Sequence, residues 1–190
     1  MVSVQEHQQE DSQGPLRNGV KPPENLGAII TAPGENLGDM IRRIYGPWSF
    51  NPENVKTVLG VNPNLKSPEL LQVGQKILFP TIPVKLTPKA DEVWWIRIAT
   101  LNNIESAYRL LRKYWKSTSP LLIIPSRDDS DQVLMNILLE EYFMNKEAAQ
   151  QTIQALPDVF KAQAEILYGL NPKIFYYQVK QIDKNNDNTL

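Results

Sequence analysis

Apolar positions along the chain fall into two patterned stretches, separated and flanked by polar, proline-bearing ones. In the first stretch, residues 26–31 form a short apolar run, and Pro33-Gly34 marks a turn after it. Leu37, Met40, Ile41 and Ile44 then recur at helical spacing, which predicts a helix over 37–45 with Asn36 as N-cap. Gly46-Pro47 ends it. A second helix is expected over 52–59, with Asn51 as N-cap, Pro52 in the first turn and Val55, Val58 and Leu59 inward. Asn62-Pro63-Asn64 is a turn, and residues 75–79 read as a strand closed by Pro80. The expected order is βααβ, with Leu37, Ile41, Val58, Leu59 and Ile77 as core.

The second stretch repeats itself. Residues 96–101 and 137–142 each end an apolar strand, and each is followed by a turn and a helix with alanine at a matching place, Ala107 and Ala148. Helices are expected over 103–116 and 145–156, with Asn103 and Asn145 as N-caps. Residues 120–125 are a buried strand by length and β-branching. A last strand falls at 165–170 or 174–179. The result is a βαββαβ, ferredoxin-like unit with a four-stranded antiparallel sheet and two helices on one face. The chain as a whole is therefore expected to be α+β, with two small domains at 25–82 and 93–180. Residues 1–24 and 181–190 are polar and read as a disordered linker and tail. Residues 83–92 read as a proline-containing linker.

Composition removes several functions. The net charge is -1, with 20 Lys+Arg against 21 Asp+Glu, so a general polyanion binder is disfavoured. There is no cysteine, hence no disulfide and no thiol chemistry. His7, the one histidine, lies in the polar N-terminal segment, so no Ser-His-Asp arrangement can be assembled. Asp128, Asp129 and Asp131 lack the glycine and distal glutamate of a calcium loop and read as a solvated hairpin turn. Glu140 and Glu141 point to opposite faces of a strand and make a poor acid–base pair. No glycine-rich phosphate loop is present. No cofactor, no metal and no catalysis are expected. No stretch reaches the roughly 20 apolar residues of a membrane-spanning helix. The N-terminus has no signal-peptide pattern, so if the protein works outside the cytoplasm an export signal or anchor is expected upstream.

Pro33-Gly34-Glu35-Asn36-Leu37, Val61-Asn62-Pro63-Asn64-Leu65, Val73-Gly74-Gln75-Lys76-Ile77 and Pro80, in this order over about 50 residues, resemble the LysM family. The resemblance implies a βααβ unit that binds N-acetylglucosamine-containing glycans, chiefly peptidoglycan and chitin. It places a shallow groove between two loops, here Gly34, Glu35, Asn36 and Leu37 on one side and Lys66, Ser67, Pro68, Leu70, Leu71 and Gln72 on the other. The aromatic helix connection 45–50 departs from the pattern. There Trp48 could stack on a sugar or cover the small core, and packing is the commoner use of aromatics in tiny domains.

Trp94-Trp95-Ile96-Arg97-Ile98-Ala99-Thr100-Leu101, with Asn145-Lys146-Glu147-Ala148-Ala149 and Leu156-Pro157, resembles a divergent SPOR domain over about 80 residues. Arg97, Ala99, Leu101 and Glu140 stand where that family has glutamine, glycine, phenylalanine and glycine. The resemblance implies glycan binding by the helix-free sheet face. Period-2 alternation puts Trp95, Arg97 and Ala99 there, with Asn136 and Leu138. That face either binds glycan or is covered by a partner or by the C-terminal segment. The same sheet plan is used for RNA recognition, but the aromatic signature is missing from residues 133–139 and the more basic part of the chain is 25–90. The expectation is thus a non-catalytic peptidoglycan-binding protein of the bacterial cell envelope, in periplasm or cell wall, such as the extracytoplasmic part of a secretion, pilus or division component. The alternative is an assembly scaffold whose modules bind envelope proteins.

Overall fold

The structure is a computed structural model that describes residues 22–65, 67–69, 71–87, 89–114 and 120–179. The protein is mixed α+β. Its first unit runs β1 (Asn25–Ile30), α1 (Leu37–Tyr45), a 3-10 turn (Pro47–Ser49), α2 (Pro52–Gly60) and β2 (Lys76–Pro80). β1 and β2 pair antiparallel, with Ile29 opposite Ile77. Leu37, Ile41, Val58 and Ile77 are buried as expected, and Leu59 packs against them from the rim. Residues 1–21 lie outside the described residues, as do 180–190.

A two-stranded sheet has two open edges, and here side chains close both. Along β2, Asn62 stands in for a strand: its Oδ1 accepts from Leu78 N (2.9 Å) and its Nδ2 donates to Leu78 O (2.7 Å). Along β1, Ile30 N donates to Glu105 Oε2 (2.9 Å), and Arg112 Nη2 donates to Ile30 O (2.9 Å). Glu105 and Arg112 belong to the second unit, so that unit completes the first.

The second unit begins with β3 (Val84–Leu86) and β4 (Trp94–Leu101) and continues with α3 (Ile104–Tyr114), β5 (Leu121–Arg127) and β6 (Val133–Phe143). It ends with α4 (Lys146–Ala155), α5 (Asp158–Lys161), β7 (Glu165–Tyr168) and β8 (Tyr177–Val179). Its main sheet is four-stranded and antiparallel, in the order β5-β6-β4-β7. Both expected positions for a last strand are used: β7 joins this sheet, whereas β8 pairs in parallel with β3. The four longer helices each start on an asparagine that accepts a backbone N–H three residues on, namely Asn36, Asn51, Asn103 and Asn145.

Residues 83–92 are not a free spacer. Val84, Leu86, Ala90 and Val93 are buried with Trp95, Leu122, Ile124, Leu138 and Leu170 in a second core layer. The alternation Val84-in, Lys85-out, Leu86-in is that of a half-buried strand, and β8 supplies its partner. Nor do the two units have separate interiors. One cluster runs from Leu26, Leu37, Ile41 and Phe79 to Ile96, Tyr108, Leu111 and Phe160. Close approach of α3 to β1 depends on Gly27, where a Cβ would lie 3.0 Å from Ile104 Cγ2.

Candidate functional site

Two surfaces of the first unit lie at opposite ends of α1, about 13 Å apart for a nine-residue helix. The first is the pair of loops on either side of the expected groove. They are tied together: Leu37 N donates to Pro68 O (3.4 Å), Gly74 N to Thr31 O (2.9 Å), and the Thr31 hydroxyl bonds Gln72 O. Gln75 Oε1 accepts from Gln72 N (3.0 Å) and fixes the second loop internally. Gly34, with φ +79, carries the first turn, and nothing lies where its Cβ would be.

The ten expected groove residues divide by environment. Gly34, Asn36 and Gln72 are exposed, and Ser67, Pro68 and Leu71 are half-buried along the same rim. Lys66 and Leu70 lie outside the described residues. Leu37 is a core residue, wholly buried, so its side chain is not a groove contact. Glu35 is the larger correction. Its side chain is 6% exposed and faces α3. Arg112 donates to Glu35 Oε1 and Oε2 (2.9 and 3.0 Å), Tyr108 Oη to Oε1 (2.9 Å) and Ala32 N to Oε2 (2.8 Å). Burial raises the carboxyl's pKa, but the Ala32 amide, Arg112 and Tyr108 outweigh it and hold it below 4.5. Glu35 is thus an anchor between the units.

The expected sheet-face site is covered. Trp95 is 1% exposed, and its indole donates to Ala90 O (2.9 Å). Leu138 is fully buried in the same layer, beneath the segments that carry β3 and β8. Ala99 is not on this face at all. Irregularities between Trp95, Arg97 and Ala99 pair Arg97 with Leu138 and Ala99 with Ile137, so Ala99 turns to the helix-side core and Thr100 takes the polar face. There Asn136, 1% exposed, accepts from Arg97 Nη1 (3.2 Å) and Thr100 Oγ1 (3.3 Å) and donates to Ser126 Oγ (2.8 Å). Arg97 also pairs with Glu165. These residues satisfy one another and close the sheet. Asp128 closes the β5–β6 hairpin, accepting from Ser130 N and Gln132 N (2.9 Å each), so the acidic tract is a turn as expected.

The second surface is a cleft of about 690 Å³. One wall is the α1–α2 connection with the start of α2, from Tyr45 to Thr57. The other is the chain from Thr81 to Thr87, with Tyr142, Tyr176 and Gln178 behind it. Trp48, which tiny-domain packing would bury, is 83% exposed at its mouth. Its 3-10 turn is held by Ser49, whose hydroxyl donates to Ile41 O (3.0 Å), and by Asn54 Nδ2 donating to Ser49 O (2.7 Å). The cleft could not be read from sequence because its walls are far apart in the chain; the aromatic, proline-marked 45–50 connection was its one visible sign. Among the described residues no helix is long and apolar enough to cross a membrane. Compared with protein-family models, with curated proteins and with solved structures, the chain gives no match in any of the three.

Proposed function

We propose that the chain is a non-catalytic glycan-binding protein of the bacterial cell envelope, with peptidoglycan or another N-acetylglucosamine polymer as ligand. In this reading residues 25–82 are a LysM-like unit, and residues 93–180 are a SPOR-like unit turned into a structural support. The observation that carries it is the tied loop pair. Gly34, Asn36, Ser67, Pro68 and Gln72 make an accessible rim of turn backbone and small polar groups on a β1–α1–α2–β2 unit. Turn amides and carbonyls beside half-buried Pro68 and Leu71 suit a pyranose, which offers hydroxyls at its edge and C–H groups on its faces. Glu35 and the sheet face are left out of the binding site, for the reasons given above. The experiment is a ¹⁵N NMR titration of the full chain with chitohexaose. Shifts should gather at Gly34, Asn36, Ser67 and Gln72, in fast exchange because a shallow rim buries little ligand. Unmoved resonances at all four at millimolar sugar would overturn the reading.

A further inference from the structure

At the far end of α1 the cleft behind Trp48 has its own chemistry. We propose that it is a second ligand site, taking an uncharged oligosaccharide with one pyranose ring stacked on Trp48. This does not depend on the loop rim binding anything. Three observations carry it. The first is the indole itself: it is 83% exposed, yet presented on a short turn pinned through Ser49 and Asn54. The pinned turn fixes the backbone that presents the ring, and the exposed indole offers a large apolar face to a pyranose. The second is Thr81 on the opposite wall. Its hydroxyl oxygen is buried and has no hydrogen-bond partner among the described residues, a costly state that a turn of the side chain towards the cleft and a ligand hydroxyl there would together relieve. The third is the lining's chemistry. Asn54, Thr57, Thr87 and Gln178 contribute amides and hydroxyls, which match the mixed donors and acceptors of sugar hydroxyls. The lining side chains charged at neutral pH are Glu53, Glu140 and Lys85, two carboxylates to one ammonium, which disfavours phosphates and other polyanions. A peptide fits less well, because β3 and β8 are three residues each, too short a ladder for an added strand.

The test uses the full chain with two neutral probes, chitohexaose and cellohexaose, and an uncharged decapeptide of alternating valine and serine. NMR reads the Trp48 indole N–H and the amides of Thr81, Lys85 and Gln178. At least one sugar should move all four, and the decapeptide none. Trp48→Ala should weaken that binding about tenfold, the upper range for one aromatic contact. Thr81→Val keeps the shape and removes an oxygen with no hydrogen-bond partner among the described residues, so it should weaken sugar binding without lowering the melting temperature. Silence of the four cleft signals with both sugars would overturn the proposal, whatever Gly34 and Asn36 do. So would cleft shifts caused by the decapeptide alone, or undiminished affinity in both variants.

Discussion

Glu35 shows how a residue's role can be settled by a partner far away in sequence. Its place in a Pro-Gly-Glu-Asn turn suggested a loop contact, and the turn is where it was expected. But Arg112 and Tyr108, more than 70 residues on, take both carboxylate oxygens. No periodicity signals that. We expect Glu35→Gln to cost about 1.5–3 kcal/mol, the range for hydrogen bonds to a charged group, measured by urea denaturation at pH 7. The pH dependence follows from the lowered carboxyl. A group depressed in the fold adds stability above its unfolded pKa, near 4.5, and loses it as pH falls through the lower folded value. Acid denaturation below about pH 4.5 should therefore be less steep in Glu35→Gln than in the parent. Gly169 makes a second residue-scale case: φ is +64, and a Cβ would sit 2.3 Å from Asp91 O. Gly169→Ala should lower the melting temperature markedly, since both backbone conformation and close approach forbid the methyl.

At the scale of elements, much was legible. The helix 37–45, the asparagine caps and the strands of the four-stranded sheet follow from local periodicity and capping chemistry, which need only neighbouring residues. What escaped depends on pairing. Val84–Leu86 has the alternation of a strand, but Pro83 and Pro88 on either side of it point to a linker, and its partner β8 lies some 90 residues away. The irregular β4–β6 register likewise put Thr100, and not Ala99, on the polar face. Leu86→Ser should test the layer: it removes a buried side chain 4% exposed and should cost about 2–4 kcal/mol, near the cost of large-to-small core changes. The readout is thermal melting, with added fluorescence change as Trp95 meets water.

For the whole molecule, the shared core means that the two units stand or fall together. Ile41 and Leu111 lie in one cluster although they belong to different units. Ile41→Ala and Leu111→Ala should each cost about 2–5 kcal/mol and move the same single calorimetric transition. Two separable transitions would mean that the interface contributes little. A rigid body with loop rim and Trp48 cleft at the two ends of α1 presents both surfaces at fixed spacing, with the second unit serving as brace. The proposed function is glycan recognition by that body. Co-sedimentation with purified peptidoglycan sacculi addresses it most directly: the full chain should pellet with the sacculi and be released by excess chitohexaose. A chain that stays in the supernatant at physiological salt, with sacculi in excess, would contradict it.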